Sequence, residues 1–324
     1  MRKLLVLTIG VLALASLATM MPDHAAWSQG ARTIRVILTV PPGGSIDLLF
    51  RILTDHIGGT KGQTFVIESR PGAGGVIAAE AVARSAPDGN TLLSNNNGTI
   101  ISSILRKVNY DPLTSFEPIC YLVTTPQLVV VNSASPYRTL AELIDAARAK
   151  PGELSIASVG PNTTQHIGIE RLKRLAKADL TYVSYPGGGP TVNALLGAHV
   201  TSAVLNWSEV GEQVIAGKVR ALATMALKHI EPLPDLPTVS ESGYPGFDTD
   251  VWFGVTAPAK TPKETAAQLI DWFKAALENP EVKSKLAAQA LYARPICGED
   301  FNAHLRQQSE LFTRLIRELN FKTQ

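Results

Sequence analysis

The chain has 324 residues, 45% of them hydrophobic and 18% charged, with a formal net charge of +2. This composition fits a packed globular protein and excludes a disordered one. The near-neutral charge leaves no electrostatic footprint for nucleic acid. Two cysteines, Cys120 and Cys297, exclude a disulfide-dense scaffold, and neither has the closely spaced partners that a metal site requires.

In chain order, Arg2 and Lys3 precede an apolar run that ends before Pro22, Asp23 and His24. A short charged start, an apolar stretch and small residues have the build of a secretory signal peptide over residues 1–30. The run is too short to favour a permanent membrane anchor. Ser28-Gln29-Gly30 satisfies the small-x-small rule and places cleavage near Ala31, with Ala26 as the alternative. Export permits a bridge between Cys120 and Cys297, although spacing alone leaves that pairing open. Roughly 290 residues remain for folding, enough for two domains of ordinary size.

Thr33 to Thr39 reads as a buried strand, followed by the loop Pro41-Pro42-Gly43-Gly44-Ser45 and a helix to about Ile57. Thr64 to Glu68 is a second strand, Gly75 to Ser85 a helix, and Thr91 to Ser94 a third strand after the turn Ala86-Pro-Asp-Gly89. The run from Phe116 to Val131 is apolar and β-branched, with Pro126 interrupting it. Strands alternating with helices argue a parallel sheet covered on both faces.

The alternation then restarts. Thr139 to Arg148 is a helix with a threonine cap. The strands Ser155–Ser158, Leu180–Tyr185 and Val200–Asn206 are separated by the helices Thr163–Ala176 and Pro190–Leu196. A helix from Glu209 to Ala216, a strand from Ala221 to Met225, a proline-rich connection and a strand from Val251 to Thr256 follow. Everything after Pro262 reads as helical: Lys263–Glu278, Glu281–Gln289 and Asp300–Asn320. These helices lack a sheet of their own and are expected to pack on the first. The economical architecture is two α/β lobes, with the chain crossing near 120–131 and returning near 250–256. Ligands of such sheets bind beyond the carboxyl ends of the strands, which makes the space between the lobes the candidate site.

Those strand ends share a chemistry. Gly43, Gly44 and Ser45 open the first helix, whose free amides and dipole suit an anion. Asn96 and Thr99 follow the third strand; Ser158, Thr163, Thr164 and His166 follow the first strand of the second block; Tyr185, Gly188 and Asn206 follow the next two. Each stretch alone could be a turn chosen for local capping. Together they define a polar cleft of neutral donors. Asp47, in the first turn of its helix, reads first as a capping acid and second as a ligand contact. His166 reads equally as an anion donor and as a packed cap.

Catalytic readings fare poorly. Arg70-Pro-Gly72-Ala-Gly74-Gly-Val-Ile77 imitates a dinucleotide fingerprint, but Ile77 occupies the third glycine position and no acid ends the next strand. No G-x-S-x-G elbow occurs, and His56, His166, His199, His229 and His304 have no metal-ligand spacing. No catalytic or metal-binding residue is expected, and no cofactor is implied.

Taken in order, the motifs resemble those of the tripartite tricarboxylate transporter solute-binding receptors, also called Bug receptors. The resemblance runs from about Thr33 to Phe321. It rests on Pro41-Pro42-Gly43-Gly44-Ser45-Ile46-Asp47 with Arg51, on Arg70 to Gly75, and on Ala86 to Leu93. Further along it rests on Tyr110-Asp-Pro112, Phe116-Glu-Pro-Ile119, Thr139 to Leu143 and Leu195-Leu-Gly197. Leu236 to Val239, Glu241 to Phe247, Trp252-Phe-Gly254 and Ala257-Pro258 close the series.

This resemblance implies a two-lobed, periplasmic-binding-protein-like (Venus flytrap) α/β fold with the ligand cleft between lobes. Lobe I would comprise 31–130 plus 252–324 and lobe II 131–251. It implies a monomeric periplasmic receptor, not an enzyme, that delivers a small organic carboxylate to the membrane subunits of a tripartite transporter. The alternatives are a receptor of the same fold signalling to a sensor protein and an exported enzyme. Two loops, Pro42 to Asp47 and Ser158 to His166, would clamp the carboxylate, commonly with ordered waters. The sequence departs from the family pattern at Val40, Asn162, Pro186 and Asn206. An asparagine at 206 where aspartate is common favours a di- or tricarboxylate or an aromatic acid over an amino acid.

Overall fold

The structure is a computed structural model, and it describes residues 32–161, 163–249 and 251–321. The signal segment read over residues 1–30, and its cleavage near Ala31, lie outside the described residues.

The first half-lobe runs β1 (Thr33–Leu38), α1 (Ser45–Lys61), β2 (Thr64–Ser69), α2 (Val76–Ala83), β3 (Thr91–Asn96), α3 (Asn97–Leu105) and β4 (Phe116–Thr125). The chain then passes directly into β5 (Gln127–Asn132), α4 (Leu140–Ala149), β6 (Ser155–Ser158), α5 (Thr164–Ala176) and β7 (Thr181–Ser184). It continues with α6 (Gly188–Leu196), β8 (Ser202–Asn206), α7 (Trp207–Ile215) and β9 (Val219–Thr224). It returns with β10 (Val251–Pro258), α8 (Lys263–Glu278), α9 (Pro280–Ala287), β11 (Tyr292–Cys297) and α10 (Glu299–Glu318).

These strands form two sheets, ordered β11-β4-β10-β3-β1-β2 and β7-β6-β8-β5-β9. The parallel pairing expected from the alternation holds for β1 with β2 and β3, and for β6 with β7 and β8. The full sheets are mixed. β10 runs antiparallel to both neighbours, as does β5. These two strands enter their sheets from the other lobe, so no helical crossover turns them round.

Local chemistry accounts for the helices. In α1, Ile46, Leu49, Phe50, Leu53 and Ile57 recur at helical spacing and are buried. Thr139 caps α4 in a reciprocal capping box with Glu142. Asn279 caps α9, whose first residue is Pro280. One face of the first sheet packs on α1, α8 and α9, where Phe50 meets Phe273 edge-on at 6.5 Å. The second sheet has cores on both faces. One apolar cluster belongs to both lobes: Ile167 of α5 packs with Trp252, Phe301, Phe312 and Ile316.

Two elements depart from the sequence reading. The chain after Pro262 is not wholly helical, because Tyr292–Cys297 forms β11 on the edge of the first sheet, antiparallel to β4. Its ladder is interrupted between Ala293 and Ile296, around Pro295. Proline cannot donate to a ladder and is tolerated on an edge strand, but in a sequence it argues against a strand. The second addition is α3. Asn-Asn-Asn-Gly reads as a turn, yet the Asn96 side chain accepts the Gly98 amide at 2.7 Å and starts a helix that buries Ile100, Ile101 and Leu105. β11 also settles the cysteines: Cys120 and Cys297 face each other across β4 and β11 and are bonded as a disulfide.

Candidate binding cleft

The first loop is shaped by its glycines. Gly43 has φ +86°, a left-handed conformation that disfavours side chains. Gly44 is the N-cap of α1 and supplies no side-chain cap to that helix. Asp47 is buried and turned back into the loop, accepting the Gly43 amide at 3.0 Å and the Arg51 Nε–H at 3.1 Å. Its carboxylate holds the Arg51 guanidinium above its ordinary pKa. The acid therefore braces the loop and is matched by a cation.

Ser45 reaches across to the other lobe. Its hydroxyl lies 2.5 Å from that of Ser208 and accepts a hydrogen bond from Asn206 Nδ2 at 3.2 Å. Ser45 and Asn206 are both buried. Beside them, the Pro41 ring approaches the backbone of Gly187, where an added Cβ would lie 3.8 Å away. The loops of the two lobes are thus joined by hydrogen bonds at Ser45, with Pro41 close to Gly187.

The second loop forms its own network. Ser158 Oγ pairs with the Tyr182 hydroxyl at 3.1 Å, and that hydroxyl donates to Gly160 O at 2.7 Å. Thr163 caps α5 by accepting the His166 amide at 3.3 Å and donates its hydroxyl to Gly160 O. Thr164 is buried in the first turn. The His166 ring stacks on Tyr182 at 4.0 Å and meets Phe321 edge-on at 5.0 Å. Burial, aided by Lys173, pushes the His166 pKa down to about 4, and burial pushes the Tyr182 hydroxyl up to about 12. At neutral pH His166 is an uncharged packed ring, so it brings no positive charge to an anion. The Tyr185 amide bonds Ser158 O at 2.9 Å and joins this loop to the one carrying Gly187 and Gly188.

The structure therefore brings Gly43, Gly44, Ser45 and Asn206 to one place, with the Tyr185–Gly188 and Ser158–His166 loops adjoining. Asn96 and Thr99 bond to their own neighbours. Asn96 caps α3 and donates to Thr39 Oγ1 at 2.7 Å, while Thr99 bonds Asn95 Oδ1 and its carbonyl accepts the Tyr110 hydroxyl. Two neighbours of Asn206 escaped the sequence reading. Ser208 touches Ser45, and Glu209 lies against Gly188, where an added Cβ would come within 2.8 Å of its carboxyl carbon. The signal was present: Asn206 followed three residues later by glutamate is a capping-box pattern, and α7 starts at Trp207, before the expected Glu209.

Two α/β lobes facing each other across glycine-rich loops are the architecture of a periplasmic solute-binding receptor. The family model described as tripartite tricarboxylate transporter family receptor matches residues 49–321, and the chain belongs to that family. Protein BugT of Bordetella pertussis is 33% identical over 262 residues, which is 80% of each chain. The solved structure of the periplasmic binding protein BugD superposes with a TM-score of 0.85 at 30% identity, covering 90% of this chain and 99% of that one. Rpa4515 of R. palustris, solved with adipate, gives 0.86 at 29% identity, covering 90% of this chain and 98% of that one.

Proposed function

We propose that this protein is exported, is cleaved near Ala31, and as a monomer captures a small organic carboxylate between its lobes for the membrane subunits of a tripartite transporter. The observation that carries this reading is the meeting of Ser45, at an uncapped helix start in one lobe, with Asn206 and Ser208 in the other. A helix start offers unpaired amides and partial positive charge, so it holds a carboxylate without a lysine or arginine. Groups from both lobes around one ligand favour the closed arrangement. Adipate bound to Rpa4515, a relative of the same fold, supports a carboxylate ligand. We assign the clamp to Gly43, Gly44 and Ser45 on one side and Ser158, Thr163 and Thr164 on the other. Tyr185, Gly188 and Asn206 read the remainder of the ligand.

Native mass spectrometry of freshly purified protein, followed by melting with citrate, dicarboxylates and aromatic acids, tests this reading. A co-purified acid, or one that raises the melting temperature, is the expected result. Ser45→Ala should weaken that acid by about 1–3 kcal/mol, because a charge-assisted donor is lost while the fold is kept. Calorimetric titration reads this as roughly a 5- to 150-fold rise in Kd. A ligand located away from Ser45 and Thr163 would overturn the assignment.

A further inference from the structure

Glu209 is the third residue of α7, next to the Ser208 that meets Ser45. Its Oε2 accepts the Asn206 amide at 2.9 Å. The rest of the carboxyl lies against the start of α6, within 2.8 Å of where a Gly188 Cβ would stand. Only glycine at 188 leaves it that space. The carboxyl thus sits between two of the predicted ligand-reading positions, with one oxygen engaged by the backbone.

Among the described residues no cation pairs with its charge. α6 and β8 carry no titratable residue. On α7 the other acid, Glu212, is exposed. On β9, Arg220 is committed to the carbonyls of Ser133, Ser135 and Tyr137. Across the cleft, Asp47 is matched by Arg51.

We infer that Glu209 is a specificity residue that takes a proton from solvent as the ligand binds and donates it, as a hydrogen bond, to the second carboxylate of a dicarboxylate. This deepens the receptor reading and rests on it. The atoms allow it: a neutral carboxyl keeps its carbonyl oxygen for the Asn206 amide and gains one O–H donor. Two carboxylates sharing one site favour one proton between them. Glu209 is half-buried, and the loss of solvation raises its carboxyl to about 7, opposed by the Asn206 hydrogen bond. Below that pH the donor is in place before the ligand arrives; above it, binding must supply the proton, so affinity falls as pH rises.

The test is calorimetric titration of adipate into the full mature protein at pH 6, 7.5 and 8.5, in buffers of different ionisation enthalpy, with hexanoate as the one-carboxylate control. Adipate should bind with uptake of close to one proton at pH 8.5 and weaken about tenfold per pH unit above 7.5. Hexanoate should bind without this uptake. Glu209→Gln keeps an acceptor for Asn206 and supplies a permanent donor, so it should bind adipate without proton uptake and at least about tenfold tighter than wild type at pH 8.5. Glutamine also satisfies the capping-box position, and circular dichroism verifies that the variant is folded. Adipate binding with no proton uptake, or with the same pH slope in Glu209→Gln, overturns the inference and leaves the receptor reading intact. Binding of hexanoate or other monocarboxylates without adipate does the same. Failure of every carboxylate to bind overturns both.

Discussion

With Cys120 and Cys297 both changed to serine, the unfolding free energy should fall by about 2–4 kcal/mol. The bond joins directly opposed residues of β4 and β11, separated by 177 residues of chain. That span contains all of the second sheet and the returning strand β10. Constraining so long a loop in the unfolded chain corresponds to about 5 kcal/mol by loop entropy, and measured effects are usually smaller. β11 gains most, since an edge strand interrupted at Pro295 has few ladder bonds of its own. Denaturant titration with and without reductant checks the prediction: reduced wild type should match the double serine variant, and both should unfold before the oxidised protein. Coincident curves for all three would mean that the bond contributes nothing to stability.

Trp252→Ala should be at least as damaging, at about 3–5 kcal/mol. The side chain is 2% exposed and lies in β10 at the return from the second lobe. It stacks on Tyr121 at 5.8 Å and takes the edges of Phe301 and His304 at 5.7 and 5.5 Å. Such aromatic pairs add to the burial itself. Because Ile167 of α5 belongs to the same cluster, the cavity would loosen one lobe's grip on the other as well as the first core. Trp252→Phe leaves a smaller void and should lose about half as much. The check is the unfolding midpoint of both variants. Equal midpoints for Trp252→Ala and wild type would show that the cluster repacks without cost.

The alternation of strands and helices was legible because β-branched runs such as Thr33 to Leu38 end in glycine and proline turns. What escaped was structure whose composition favours something else. β11 contains Arg294 and Pro295, and only its pairing with β4 makes it a strand. α3 begins in three asparagines, and the helix depends on the Asn96 cap and on burial of Ile100 and Ile101. At the cleft, loops that end strands could be read because glycine, serine and asparagine there have a common physical use. Ser208 and Glu209 could not be read as neighbours of the cleft while the start of α7 was placed at Glu209 and not at Trp207. A two-residue shift at a helix start decides which side chains face the opposing lobe, and boundaries are the least certain part of any pattern reading.

Pro126 alone stands between β4 in one sheet and β5 in the other. Its ring fixes its own φ and keeps Thr125 extended, so this link can neither coil up nor let out chain. The chain returns beside this link: the stretch from Met225 to Thr249 packs on the second sheet through Val239 and Phe247, the Met225 amide bonds Gln127 O, and the Thr249 hydroxyl bonds Gln127 Oε1. In mechanical terms the outgoing and returning strands are pinned together at one place. A lobe rotation, where it occurs, pivots close to Pro126 and Gln127 and displaces residues in proportion to their distance from them.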